Sequence, residues 1–264
     1  MVVININPIA FSIGPLEVRW YGLMYLVGIT VGLALALPYA RSRGITVDQI
    51  FNIAAIAIPA GLIGARLYYV LQQPLGPYLA EPWRIFAFWE GGMAFYGAVF
   101  AVVLAIIISA LKMHIPIWKL LDTSAIFASA GQFFGRIGNI INGDVIGYPT
   151  SLPWGFIYVH PNSFAPRHDI AYHPAAVYEA IINIILFSTL WSIRNKVKTG
   201  YLFFIYIFAY SLSQIIVFFW RDNVIIFAGL KQAQLTAIGV IVVTAIVFFW
   251  FVRRKPAQPA DAER

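Results

Sequence analysis

Apolar runs separated by short charged breaks occupy most of this chain. They extend from about Trp20 to Ala40, Ile50 to Leu71, Gly92 to Leu111, Ile117 to the low 140s, Pro174 to Ile193, Tyr201 to Trp220 and Gln232 to Val252. Each is close to the roughly 20 apolar residues that cross a bilayer as a helix. Lipid offers no partner to a bare N–H or C=O, so such runs must pair their backbone internally. The pattern predicts an all-α polytopic membrane protein with about seven transmembrane helices. Residues 1–18, broken by Pro8 and Pro15 and lacking a basic start, read as a short interfacial segment rather than a signal peptide. The polar, Pro-rich stretch 143–172 reads as a small head insert between spans four and five, in which WGFIYVH suits a short strand. The whole of 1–264 is expected to act as one integral-membrane domain.

Composition sharpens the class. Of 264 residues, 61% are hydrophobic and 11% charged. The net charge of +7 is spread over short loops with no dense basic face, which gives no reason to expect nucleic acid. Cysteine is absent, excluding disulfides, thiolate metal sites and a cysteine nucleophile. Charge also orients the chain. Arg41, Arg43, Lys112, Lys119, Arg194, Lys196, Lys198 and the tail from Arg253 fall on one side; Arg19, Arg84, Arg167, Arg221 and Lys231 fall on the other. The richer side belongs in the cytoplasm, which puts the C-terminus there, the N-terminus outside and the head insert facing outward.

The most chemical stretch is GQFFGRIGNIINGDVIG, residues 131–147. Arg136 stands near the membrane end of an apolar span, where a charge costs about 2.5–3.5 kcal/mol on insertion scales. Gly135, Gly138, Gly143 and Gly147 let backbone come close to a ligand, and Asn139 and Asn142 add donors without charge. This predicts a buried anion site, against the alternative of an arginine snorkelling to the headgroups. Arg66, in GLIGARLYY, and Arg221, in FFWRDN, fall at the outer ends of spans two and six and suit the same positive pocket. Charge alone leaves a phospholipid enzyme and an anion carrier both open. His160, His168, His173 and Asp169 match no compact metal-ligand spacing, so no metal is expected.

GRIGNIINGDVIG resembles the signature of the prolipoprotein diacylglyceryl transferases, close to GRxGNFxNxExxG. RWYGLMYLVG, GARLYYVL, WEGGMAFYGA, HPAAVYEA and YSLSQ leading to WRDN follow in the family's order along nearly the whole chain. The resemblance implies transfer of the diacylglyceryl group of phosphatidylglycerol to the lipobox cysteine thiol of prolipoprotein signal peptides, with release of glycerol phosphate and no cofactor. It implies a multi-pass protein of the bacterial plasma membrane. By the same resemblance Arg136 matches the phosphate-binding arginine and Asn139 its neighbouring asparagine. Tyr21, Tyr210, Gly147 and Arg221 match further motif positions, and Asp144 stands where the family usually has Glu.

Three positions depart from the pattern. Tyr96 occupies the place of a histidine proposed as base, Gln214 that of an arginine, and Phe218 that of a glutamate. The last two read as an ion pair lost together. Tyr96 and Asp144 are the candidate bases for the thiol. Glu179, a turn into span five, is expected to pair with an arginine. The alternatives are a divergent member with altered activity, and a transporter or lipid-binding protein without chemistry.

Overall fold

The computed structural model describes residues 1–14, 16–87 and 92–253, apart from the side chains of Leu16, Phe95 and Tyr96. Helices dominate: α1 (Trp20–Ser42), α2 (Val47–Leu71), the short α3 (Gly76–Ala80), α4 (Phe95–Lys112), α5 (Ile117–Asn142), α6 (Ala175–Ile193), α7 (Tyr201–Val217) and α8 (Gln232–Arg253). Three two-stranded pieces accompany them. β1 (Val2–Ile4) pairs in parallel with β4 (Phe156–Tyr158), joining the chain start to the insert after α5. β2 (Ile9–Ile13) and β3 (Leu16–Arg19) form a hairpin ahead of α1, and β5 (Ile225–Phe227) and β6 (Leu230–Lys231) form one between α7 and α8. The strand expected within WGFIYVH is β4. The segment expected at residues 1–18 forms β1 and, with Arg19, the β2–β3 hairpin.

Among the described residues, α1, α2, α6 and α8 are long and apolar enough to cross a membrane, and α4 and α7 contain shorter apolar stretches. The protein is therefore a helical membrane protein. Its helices are apolar for two different reasons. In α8 only 6% of the most hydrophobic window is buried by protein, so the rest of that surface is free to meet lipid. Helix α5 is the opposite case: Asp122, Thr123, Ser129, Asn139 and Asn142 on it are all buried within the protein. A helix with protein around it can carry polar groups that a lipid-facing one cannot.

The chain forms two compact units whose boundaries fall within α1 and α5: residues 36–123 make one, residues 1–35 and 124–264 the other. In the first, α2 and α4 pack through glycine. A Cβ on Gly64 would strike Ala101 and the Gly97 carbonyl, and one on Gly97 would strike Tyr68, so the backbones meet only because both residues are bare. The start of α2 is fixed by a capping box, Thr46 Oγ1 accepting from Gln49 N at 3.2 Å and Gln49 Oε1 from Thr46 N at 2.9 Å. In the second unit Gly28 on α1 lies against Gly131 of α5, and Gly32 against Phe127. Gly28, Gly32, Gly61 and Gly64 are thus packing glycines.

Candidate functional site

Helix α5 ends where Gly143 turns left-handed, at φ +74°, with its N–H donating to Asn139 O at 2.9 Å. Three residues apart on that last turn, Arg136 and Asn139 face each other: Arg136 Nη1 donates to Asn139 Oδ1 at 3.1 Å. Asn139 in turn donates through Nδ2 to Asp144 Oδ1 at 3.0 Å, just past the turn. Arginine, asparagine and carboxylate of one sequence stretch therefore form a single hydrogen-bonded line. It runs from the half-buried guanidinium to an exposed Asp144.

The second charge comes from α6. The two helices meet end to start, with Ala176 N donating to Val145 O at 3.1 Å and Gly147 N to His173 O at 2.8 Å. Glu179, one turn into α6 and 2% exposed, takes Arg136 Nη2 at 2.5 Å on Oε2. Its other oxygen takes Arg221 Nη1 at 3.3 Å. The arginine partner expected for Glu179 is thus two arginines. Gln214 Nε2 also donates to Oε2, at 3.4 Å. The Phe218 ring lies under the Arg221 guanidinium, 4.6 Å from its centroid. At the two departed positions, then, the amide addresses Glu179 and the ring addresses Arg221.

Arg221 is held by its backbone as well. Gly147 bridges to it in antiparallel fashion, and a Cβ at Gly147 would collide with the Trp220 carbonyl and His173. Lys231, 3% exposed, donates from Nζ to Phe218 O at 2.6 Å and to Arg221 O, clamping the carbonyls that α7 leaves open at its end. Lys231 was counted from the sequence only as a loop charge. Nothing in the chain order signals that its amine folds back on α7.

Tyr21, Tyr25 and Tyr210 are close enough to Arg136 to interact with it electrostatically. Tyr21 and Tyr25 share a hydrogen bond of 3.1 Å, and Tyr210 stacks on Tyr206 with centroids 5.9 Å apart. Of the sequence-predicted residues, Arg136, Asn139, Asp144, Gly147, Arg221, Tyr21 and Tyr210 therefore belong to one neighbourhood. Arg66 belongs to the other unit, where it donates to Ile85 O at 3.1 Å, Gly92 O at 3.3 Å and Arg84 O at 2.6 Å. A shallow depression lined by Gln73, Pro74, Pro77, Tyr78 and Arg84 also lies in that unit and contains none of this chemistry. The Tyr96 side chain lies outside the described residues, as do residues 88–91 of WEGGMAFYGA.

The insert has its own bonding. His168 Nδ1 meets Tyr158 O at 2.8 Å, and Arg167 pairs with Asp169 in the open, holding the Asp169 carboxyl below its usual range. Burial pushes the Tyr158 phenol well above its usual value. His173 Nδ1 meets the Tyr178 hydroxyl at 3.2 Å, and that hydroxyl also accepts from Trp154 Nε1 at 2.9 Å.

Arg136 and Arg221 share one buried carboxylate, the second carboxylate of the neighbourhood, Asp144, being exposed, and Arg221 Nε is buried with no acceptor. An unmatched charged donor of this kind suits an incoming anion with oxygens on more than one side. A phosphate fits that description. The family model described as prolipoprotein diacylglyceryl transferase matches residues 8–250. Three similar proteins all carry the name phosphatidylglycerol–prolipoprotein diacylglyceryl transferase. The one from Symbiobacterium thermophilum is 33% identical, over 97% of this chain and 97% of its own. The one from Sinorhizobium medicae is 34% identical, over 98% and 95%. The one from Trichormus variabilis is 31% identical, over 97% and 96%. A match this long takes in every element that builds the arginine cluster, and the chain belongs to the prolipoprotein diacylglyceryl transferase family.

Proposed function

We propose that the chain transfers the diacylglyceryl group of phosphatidylglycerol to the lipobox cysteine thiol of a prolipoprotein. The observation that carries the reading is the Arg136–Glu179–Arg221 bridge with its unmatched Nε donor. In the reaction sulfur forms a bond to the glyceryl carbon while that carbon's bond to the phosphate oxygen breaks. The electron pair leaves with the oxygen, so a phosphodiester with one negative charge becomes a glycerol phosphate with more. Groups that bind the departing phosphate more tightly as its charge grows accelerate the step.

Arg136 holds the phosphate and stabilises the leaving charge, with Asn139 keeping its guanidinium in line. Arg221 supplies the second fork, at a site where position 214 offers only an amide. A planar guanidinium can meet two phosphate oxygens at once, which a single amide cannot do with full charge. Tyr21 and Tyr210 border the lipid headgroup, and Gly147 keeps the backbone beside Arg221 close. Asp144, exposed at the end of the hydrogen-bonded line, is our choice to receive the thiol proton, with Tyr96 as its rival. A thiol near pKa 8.5 needs only a modest base. Arg66 is bonded to the main-chain oxygens of Arg84, Ile85 and Gly92 and steadies that backbone.

The arrangement in the membrane follows the charge pattern: seven spans, with α4, α5 and α7 crossing as well as α1, α2, α6 and α8, and one integral domain. The N-terminus lies outside with the 143–172 head, and the C-terminus is cytoplasmic in the bacterial plasma membrane. The test is a transfer assay with phosphatidylglycerol vesicles and a lipobox peptide. Wild-type protein gives thioether product and Arg136→Ala gives none. Lipid binding without product from well-folded wild type would favour a non-enzymatic reading.

A further inference from the structure

One turn deeper than the arginine bridge, the site contains polar atoms that nothing satisfies. Because α5 ends where α6 begins, stepping back along α5 and forward along α6 both lead away from that shared end. Stepping back from Arg136 reaches Gln132; stepping on from Glu179 reaches Asn183. Side chains four apart on a helix lie on one face, so these two sit beneath the paired residues at a depth of about 5.4 Å, one helical pitch. Asn183 is 2% exposed, and its Nδ2 is buried with no acceptor. Gln132 is hydrogen-bonded to the Tyr206 hydroxyl, which leaves its Oε1 buried without a partner. Burying an amide N–H without an acceptor is costly, and natural proteins rarely leave one so unless something else occupies it.

We infer that Asn183 is the donor of a second subsite, one that binds an ester carbonyl of the glycerolipid whose phosphate lies between Arg136 and Arg221. The chemistry matches at three points. A phospholipid ester carbonyl is an acceptor with no donor of its own, which is what an orphan N–H requires. It lies a few covalent bonds from the phosphorus on the acyl-chain side, comparable to one helical pitch. It also sits at the polar edge of the hydrocarbon, where the apolar residues one turn further along Asn183's face, Leu186 and Phe187, suit the chain that follows. The subsite would hold the glyceryl carbon still while its bond to phosphate is exchanged for one to sulfur. This rests on the transferase reading above.

The experiment compares two forms of phosphatidylglycerol of equal chain length, one with ester-linked chains and one with ether-linked chains that lack the carbonyl. Both are offered with lipobox peptide to wild-type protein, Asn183→Leu and Asn183→Ala. The wild type is expected to show a KM about 3–10-fold higher for the ether lipid, the worth of one hydrogen bond. Both variants are expected to lose that preference, with KM for the ester lipid raised to the ether value. The alanine variant removes the amide without adding volume, so it covers failure of the leucine variant to fold. The wild-type comparison stands without either. Equal use of both lipids by wild type would overturn the subsite while leaving the transferase reading intact, as would folded variants that keep the preference. Transfer of neither lipid by wild type would overturn the reading on which the subsite depends.

Discussion

Arg136 and Glu179 form an ion pair of 2.5 Å that ties the last turn of α5 to the first turns of α6. Because Arg221 binds the other oxygen of the same carboxylate, Glu179 sets the separation of both guanidiniums. It is a positioning residue: it holds the cations that a phosphate would bridge, and its own charge limits their repulsion.

Replacing Glu179 by alanine should leave two buried guanidiniums facing each other. Removing one partner of a buried pair costs about 3–5 kcal/mol, and thermal unfolding in detergent is expected to register a loss of that order. Glu179→Gln keeps the shape and one acceptor, and should lower kcat/KM more than it lowers stability. A variant as stable and as active as wild type would remove Glu179 from the site.

Arg136→Lys keeps the charge but not the fork. Loss of one preorganised donor typically costs about 10²–10³-fold in kcat. Transfer kinetics should show a fall of that size, with phosphatidylglycerol KM changed less. Arg221→Lys should show the same sign. If its effect were confined to stability, the second phosphate contact would lie elsewhere.

Asp144→Asn should depress kcat, and Asp144→Glu should retain activity, since the carboxylate is exposed and has room for one more methylene. Tyr96→Phe separates the rival bases. Unchanged kcat in Tyr96→Phe leaves Asp144 in the role; unchanged kcat in Asp144→Asn assigns it to the phenol.

Gly147→Ala would drive a methyl group into the Trp220 carbonyl. Overpacking of this kind costs typically about 1–3 kcal/mol, and here the atom displaced is backbone next to Arg221. The expected reading is a raised KM for phosphatidylglycerol out of proportion to the drop in melting temperature.

Tyr158 gives a pH prediction. Its phenol is raised above the ordinary tyrosine value because burial disfavours the charged form. The folded state therefore holds the proton longer than the unfolded one. Stability from this group is fully present below about pH 10, the unfolded value, and declines as pH rises beyond it. Alkaline unfolding followed between neutral pH and that range should steepen there, and Tyr158→Phe should lose the steepening.

Much of the site could be read along the chain because it is local. Arg136, Asn139 and Asp144 stand within one helix end, and helical spacing alone puts them in contact. Glu179 was legible as a partner of arginine because a buried carboxylate in a membrane helix has few other options. Its second arginine was not, since Arg221 arrives from beyond α7. Gln214 illustrates the same limit: read in isolation it marks a missing charge, whereas in the fold it addresses the carboxylate that Arg221 occupies. Arg66 shares with Arg136 a place at the end of an apolar run. Main-chain carbonyls that satisfy a guanidinium leave no trace in residue identity, so the sequence reads Arg66 into the same pocket.

Helix α5 carries a consequence for how the protein comes to exist. Its polar groups are tolerated because neighbouring helices surround them, and during synthesis α6 and α7 are not yet made. A newly emerging α5 would therefore meet lipid poorly and do better waiting beside α1, whose Gly28 fits it closely. The residues suited to grip a headgroup also make α5 a late passenger, dependent on its companions for its place in the fold.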